Sequence, residues 1–180
     1  VDLCLAVIEQ ESGGNPPDVM QTEQSYYNVN PPIDTAEESI DCGTHELSDC
    51  LTKAKSKSPN DIKGISLALQ GYNFGNGYID WALKNYGCYS KENAEIFSQK
   101  MCVELGYDSY GDVEYVPHVL RYYIANPETT VTNESANSIL KELKENNSPH
   151  YIVIQNIMRR IIENYFNMVG NINEHIIESF

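Results

Sequence analysis

The chain has 180 residues, of which 41% are hydrophobic, and its formal net charge is −14. This is the composition of a globular protein with one compact core and an appendage, and the acidic balance argues against nucleic acid, which is bound by neutralising phosphates with Lys and Arg. No run of about 18 apolar residues occurs, so the sequence contains no candidate transmembrane segment.

The five cysteines and four histidines do not form a metal motif. At least one cysteine is unpaired, and no HxxxH or CxxC spacing occurs. Cys42 and Cys50 fall in one predicted helix, where eight residues rise about 12 Å, which is beyond the reach of a disulfide. We therefore expect structural thiols, no metal and no organic cofactor.

Helical periodicity recurs through the first two thirds of the chain, and strand signals are weak. A polar, Pro- and Asn-rich loop over 16–34 follows the first helix. We predict an all-α, predominantly helical domain over 1–125. The only strands that this prediction allows are those of a minor hairpin. The predicted helices are an opening one that Gly13-Gly14 ends, one over 36–54, one from Ser58-Pro59, one around 78–86, one from Ser90 to Gly106, and one over 115–123.

Composition changes at about Asn126. The stretch 126–138 is rich in Asn, Thr, Ser and Glu and is typical of a linker. Two amphipathic helices are predicted after it, around 138–145 and 149–166. We therefore expect a helical C-terminal extension over 126–180, whose apolar faces pack either on the main domain or on a partner.

Glu11 is the first candidate for chemistry. It follows Leu3 and Val7 at intervals of four residues, so it continues the apolar stripe of the opening helix. A carboxyl at the edge of a core loses hydration, which raises its pKa. A carboxylic acid that stays protonated near neutral pH is what protonation of a glycosidic oxygen requires. On its own, a Glu at the end of a buried helix is more often a capped or paired residue.

Four short segments supply the context for Glu11, because they resemble, in order, the motifs of soluble lytic transglycosylases and goose-type lysozymes. A more specific resemblance is to the lysozyme-like domain of CwlT-type bifunctional cell-wall hydrolases, which occur on conjugative transposons of Gram-positive bacteria. The four segments are 6–16 with Glu11-Ser12, Met20-Gln21, 68–75 with Tyr72-Asn73, and 114–120 with Tyr115-Val116.

This resemblance covers about 1–123. The second segment reads Asp18-Val19-Met20-Gln21, where the wider family has Gly-Leu-Met-Gln, and the CwlT-type subgroup is similar in this departure. CwlT-type proteins also carry a C-terminal cysteine peptidase domain, whereas about 55 residues of a different character follow here. We therefore expect no peptidase activity from this chain.

The resemblance implies a role for each matched residue around the reacting bond. Glu11 would protonate the oxygen between MurNAc and GlcNAc, and Tyr115 would direct its hydroxyl at the Glu11 carboxyl. Ser12 would hydrogen-bond near that carboxyl and the substrate. The alternative for Ser12 is an ordinary hydroxyl at a helix end, and for Tyr115 it is packing.

The remaining matched residues are expected to bind substrate. Gln21 would contact a sugar through its amide, with Met20 packing beside it, although core filling is an equal alternative for Met20. Tyr72 and Asn73 would line the cleft, and Gly75 would let the backbone approach the sugar closely. Further side chains that could stack on sugar rings are Tyr26, Tyr27, Phe74 and Tyr78.

The sequence leaves the nucleophile open. Attack by water would make the chain a lysozyme, and attack by the substrate's 6-hydroxyl would make it a lytic transglycosylase with 1,6-anhydro products. Asp18, Glu23 and Asp34 are candidate second carboxylates, each more often a solvated loop charge. Competing classes are a non-catalytic glycan-binding module and a helical interaction module.

The resemblance also implies which partners the protein has and where it acts. The partners would be peptidoglycan glycan strands and, through the C-terminal helices, conjugation or secretion machinery. The activity would be extracellular, at the cell wall, and would open the wall locally during conjugative transfer.

Overall fold

A computed structural model describes residues 2–29, 31–123 and 125. The chain divides into two units, Val1–Val131 and Thr132–Phe180, and every described residue belongs to the first. The predicted linker and C-terminal helices lie outside the described residues. The proposed boundary between 125 and 126 therefore stays a prediction.

The described residues form six helices without a strand, so the all-α prediction is confirmed and the minor hairpin is not found in this part of the chain. None of these helices is long and apolar enough to cross a membrane. The helices are α1 (Asp2–Ser12), α2 (Ala36–Lys53), α3 (Ile62–Phe74), α4 (Gly77–Asn85), α5 (Lys91–Leu105) and α6 (Tyr115–Leu120).

Side-chain caps explain where three of these six helices begin. Thr35 and Glu38 form a capping box at the start of α2, and the Ser90 hydroxyl accepts from the third residue of α5. The left-handed Gly106 ends α5, as the sequence predicts. These ends are encoded locally, because each cap satisfies backbone groups within its own first or last turn.

Two predicted boundaries are wrong. Helix α3 begins at Ile62 and not at Ser58-Pro59, because the Asp61 carboxylate accepts hydrogen bonds from Gly64 N (3.1 Å) and Lys57 N (3.0 Å) and so caps the helix three residues later. Helix α6 ends at Leu120, and the residues after it form turns. Tyr123 instead donates its hydroxyl hydrogen to the Pro59 carbonyl, at 2.7 Å.

Helix α3 is the centre of the core, since it packs against α2, α4 and α6, while α1 packs against α6. Gly71 allows the close approach of α3 to α4, because a Cβ there would lie 2.3 Å from Ile79 Cγ1. Gly43 has the same effect on α2, where a Cβ would lie 2.6 Å from Met20 Sδ. The loop that follows α1 is thereby pressed onto α2.

An aromatic cluster fills the space between the end of α3, α4 and α5, with ring centroids of neighbouring members 5.1–6.3 Å apart. Phe74 and Tyr78 belong to it and are 3% and 0% exposed. The prediction that these two rings stack on sugars is therefore wrong, because their faces are covered by other rings. The other members are Trp81, Phe97 and Tyr110.

All five cysteines are free, and Cys42 does not pair with Cys50, as the helix geometry predicts. Burial raises the pKa of the Cys50 thiol to about 12. A thiol with so high a pKa is a poor nucleophile near neutral pH, which agrees with a structural role.

Candidate active site

The Glu11 carboxyl lies at the end of α1, half-buried, against the first residue of α6. The hydroxyl of Tyr115 donates to Glu11 Oε1 at 2.5 Å, across 104 residues of sequence. Tyr115 is 2% exposed, so its ring is fixed by packing and can aim the hydroxyl at one point. The first and fourth sequence segments are therefore joined by a direct contact, as predicted.

The surroundings of Glu11 favour its protonated form. Burial is the main cause that raises the pKa of the Glu11 carboxyl, and the charges of Asp18 and Asp112 raise it further, while the hydrogen bond from Tyr115 works in the opposite direction. Burial and the neighbouring Glu11 charge raise the pKa of Tyr115 as well. Tyr115 therefore keeps its hydrogen and remains a donor, and the pair can deliver a proton.

Ser12 is engaged with backbone groups around the end of α1. Its hydroxyl donates to Val19 O at 2.8 Å, with Ile8 O at 3.3 Å, and accepts from Gly14 N at 3.1 Å. These are the contacts of the alternative interpretation, in which Ser12 fastens the loop to the helix end. A contact between Ser12 and substrate stays a prediction.

The Met20 side chain is buried between its loop and α2. This side chain is 0% exposed and packs against Gly43, as the core-filling alternative predicts, and a role of Met20 in binding substrate stays a prediction. Its backbone N–H donates to Ser39 Oγ at 2.9 Å, and its carbonyl accepts from the Tyr72 hydroxyl at 2.9 Å. Tyr72 is also buried, so it links α3 to this loop, and its role in lining a cleft stays a prediction.

Asp18 organises the same loop. Its Oδ1 accepts from Thr22 N (2.8 Å) and from the Ser39 hydroxyl (2.7 Å), and its Oδ2 accepts from Glu23 N (2.9 Å). Its carbonyl accepts from the Gln21 side-chain amide at 2.8 Å. Asp18 is therefore neither a solvated loop charge nor an open second carboxylate, since both oxygens hold the loop together.

The other loop residues divide by exposure. Gln21 is exposed and has φ +54°, an unusual backbone conformation for a non-glycine residue, which turns its side chain back to Asp18. Glu23 and Asp34 are exposed, as expected of solvated charges. The predicted contact of Gln21 with a sugar stays a prediction.

Asn73 lies at the end of α3 beside the 110–114 loop. Its Oδ1 accepts from Asp112 N at 2.7 Å. Gly75 follows with φ +84°, and a Cβ there would meet nothing within 4 Å, so open space adjoins this turn. Asn73 and Gly75 are thus neighbours of an accessible surface, which suits the substrate-binding roles predicted for them.

The sequence analysis missed Asp112 and His118. The Nδ1 atom of His118 lies 2.7 Å from Asp112 Oδ2, and the charge of Asp112 contributes to the raised pKa of Glu11. Each lies three residues from Tyr115, Asp112 just before the fourth segment and His118 within it. For Asp112 the available signal was its place two residues ahead of Glu114, because an Asp side chain often accepts from the backbone N–H two residues later.

The predicted sugar-stacking residues Tyr26 and Tyr27 lie together on the loop before α2. The Tyr27 ring stacks on His45 with centroids 5.3 Å apart, and its hydroxyl donates to Asp49. Tyr26 meets the Tyr27 ring edge-on and is 92% exposed. Tyr26 therefore keeps a free ring face, and its stacking role stays a prediction.

A cavity of about 450 Å³ lies away from Glu11, near the start of α1. Leu3, Leu47 and Ile65 line it together with Cys4, whose pKa is raised by burial. Its charged lining residues are Asp2 and Lys57, and neither belongs to the four sequence segments. In the ranges 2–29 and 31–123, no group of three or more His, Cys, Asp or Glu could hold a metal ion.

Comparisons with known proteins show the family to which the chain belongs. The family model described as lysozyme-like matches residues 1–137. The bifunctional muramidase/DL-endopeptidase CwlT of Bacillus subtilis is 38% identical over 122 residues, which are 68% of this chain and 35% of that protein. A pneumococcal vaccine antigen A homolog of Streptococcus pyogenes is 31% identical over 120 residues, 67% of this chain and 58% of that protein.

Among solved structures, a Staphylococcus aureus protein described as similar to a lipoprotein of the NLP/P60 family matches with a TM-score of 0.56 and 27% identity. The match covers 79% of this chain and 52% of that one. The chain thus spans about a third to three fifths of the length of these relatives. It belongs to the lysozyme-like family, and its lysozyme-like domain is of the CwlT type.

Proposed function

We propose that the chain is a peptidoglycan hydrolase that cleaves the β-1,4 bond between MurNAc and GlcNAc, with Glu11 as the general acid. The observation that carries the proposal is the Glu11–Tyr115 pair, a half-buried carboxyl with a raised pKa held by a fixed hydroxyl. The muramidase named among the relatives supports the same bond. No cofactor takes part in the proposed reaction.

The proposed step needs one proton from Glu11. Tyr115 occupies Oε1, so Oε2 is the oxygen that would carry the proton to the leaving sugar oxygen. As the bond breaks, Glu11 becomes a carboxylate, and the hydrogen bond from Tyr115 strengthens because its acceptor is then charged. The carboxylate can next take a proton from the attacking nucleophile.

Two nucleophiles are compatible with this acid. We propose water, and hence muramidase products, because the relative is named a muramidase. The second candidate is the substrate's own 6-hydroxyl, which would make the chain a lytic transglycosylase. It is favoured by the state of Asp18, whose two oxygens are already hydrogen-bonded within the loop and so leave no obvious second carboxylate there.

The proposed setting is the wall of a Gram-positive bacterium, outside the membrane, where the enzyme would open peptidoglycan locally during conjugative transfer. Its macromolecular partners there would be glycan strands and, through 126–180, a conjugation or secretion apparatus. The support is the CwlT type of the domain. The endopeptidase activity in that relative's name is not part of the proposal.

The experiment is a digestion of purified peptidoglycan by the wild type and by Glu11→Gln, followed by mass spectrometry of the released muropeptides. Free reducing ends are expected from the wild type, and products lighter by one water would indicate the transglycosylase. Equal release by Glu11→Gln would contradict the acid role. Binding to the wall without release by either protein would favour a glycan-binding module.

A further inference from the structure

The 110–114 loop is fastened to the end of α3 by several independent contacts. The Tyr110 hydroxyl donates to Phe74 O at 2.8 Å, and the Ser98 hydroxyl donates to Tyr110 O at 2.7 Å. Gly111 has φ +58°, and a Cβ there would lie 2.5 Å from the Phe74 ring and 2.7 Å from Asn73 Oδ1. The loop therefore has one close-fitting position against Asn73.

Asp112 is the hub of that loop, because all four of its polar groups are engaged. Its N–H donates to Asn73 Oδ1 (2.7 Å), and its carbonyl accepts from Gln70 Nε2 (2.9 Å). Its carboxylate accepts from Glu114 N (2.8 Å) and from His118 Nδ1 (2.7 Å). One residue thus joins the end of α3 to the start of α6.

Gln70 shows that the position of this loop is held from inside the core. Its side chain is 0% exposed, and its Oε1 has no hydrogen-bond partner within the described part of the chain. A buried amide with an unsatisfied acceptor destabilises the folded state. The Gln70 side chain does make one hydrogen bond, from its Nε2 to the Asp112 carbonyl, and this bond holds the loop from the core side.

These contacts decide which group Asn73 offers to a ligand. Because Oδ1 accepts from the Asp112 N–H, the amide is held with its NH₂ group on the other side. That group can only donate. Asn73 is half-buried beside the open space at Gly75, so it is placed to recognise an acceptor such as the carbonyl oxygen of a sugar acetamido group.

His118, which lies in α6, binds the Asp112 carboxylate. A carboxylate oxygen only accepts, so Nδ1 carries the hydrogen and donates to Asp112. His118 lies one turn after Tyr115 on the same helix. The helix that orients the Glu11 carboxyl therefore also fixes the loop that orients Asn73.

We propose that His118 and Asp112 are positioning residues of the glycan site, which act through Asn73 by holding its NH₂ group toward the acetamido oxygen of the substrate. The ligand class rests on the proposed function, whereas the positioning rests on the contacts alone. If His118 were merely structural, its replacement would lower the stability of the fold, and the effect on ligand binding would not depend on whether Asn73 is present.

The test measures the coupling between His118 and Asn73 in the full chain. With Glu11→Gln to prevent turnover, binding of the tetrasaccharide of N-acetylglucosamine is followed by calorimetry. His118→Leu should weaken binding about five- to tenfold, because a displaced Asn73 would lose one ordinary hydrogen bond to the sugar. His118→Asn should restore it, because the Asn amide nitrogen stands near the position of Nδ1. In an Asn73→Ala background, His118→Leu should have no further effect.

A second measurement needs no ligand. The side-chain amide signals of Asn73 in the NMR spectrum should shift in His118→Leu and stay in place in His118→Asn. Unchanged Asn73 signals in His118→Leu, or additive effects on binding, would overturn the proposal. If the signals shift as expected but no oligosaccharide binds, the positioning stands and the glycan function fails.

Discussion

Two regions of the domain carry family motifs, and their motif residues do different things. Between α1 and α6, Glu11 and Tyr115 meet each other directly and place a carboxyl with a raised pKa at the edge of the core. In the loop after α1, Met20 and Asp18 are turned inward, and their contacts hold the loop to α2 and α3. A motif residue can therefore be required for the shape of a site without touching what the site binds.

The largest effect is expected at the acid. Glu11→Gln should lower the rate of peptidoglycan cleavage about 100- to 10,000-fold, the usual contribution of general acid catalysis. Stability should not fall at neutral pH. The folded pKa of Glu11 is raised, so the stability contributed by its protonated form is lost as pH rises through that value, and Gln avoids this loss. Muropeptide release and thermal unfolding measure the two effects, and a destabilised Glu11→Gln would contradict the contrast between the regions.

In the loop, the expected loss is one of stability. Met20→Ala should lower the free energy of unfolding by about 2–5 kcal/mol, because it opens a cavity in a fully buried position. Gln21→Ala is the matched control from the next position and should change it by less than about 0.5 kcal/mol, since Gln21 is exposed. Urea denaturation of both variants measures this. Equal losses of unfolding free energy would mean that Met20 is not a core residue and Gln21 is not a surface residue.

The fit of the loop on α2 is tested by adding one methyl group. Gly43→Ala should cost about 1–3 kcal/mol, because its Cβ would lie 2.6–2.8 Å from Met20 side-chain atoms. Gly77→Ala at the start of α4 meets nothing within 4 Å and should be neutral or slightly stabilising. A tolerated Gly43→Ala would show that Met20 is not held tightly there.

The smallest effect, and the sharpest comparison, concerns two tyrosine hydroxyls. Tyr115→Phe removes a hydrogen bond that lowers the pKa of Glu11, so that pKa should rise and the alkaline limb of kcat/KM should move to higher pH. Tyr72→Phe removes only the bond to Met20 O and should cost about 1 kcal/mol of stability without moving the limb. pH profiles and unfolding curves of both variants separate these outcomes.

Much of this domain was predictable where the determining interactions are local. The edge position of Glu11 follows from the spacing of apolar residues in α1, and the caps at Ser90 and Gly106 fix α5. The contact of Glu11 with Tyr115 spans 104 residues, and only the order of family motifs pointed to it. Periodicity alone carries no information on such a distance.

The rest depended on tertiary partners. Phe74 and Tyr78 look like sugar-stacking rings until α5 supplies Phe97 to cover them. Ser58-Pro59 and Asp61 both carry helix-start signals, and the carboxylate prevails because it accepts from two backbone groups. The pairing of Asp112 with His118 depends on the turn before α6. The position of that turn is fixed by the close contact of Gly111 with the Phe74 ring.

The central claim is that Glu11 is the proton donor and that its environment holds the proton. The most direct test is an NMR titration of the Glu11 carboxyl carbon in the free protein, set beside the alkaline limb of kcat/KM, which reports the acid of the free enzyme. We expect a Glu11 pKa above the ordinary value of 4.5 that coincides with that limb. A pKa at or below the ordinary value, or a limb that does not follow it, would contradict the account.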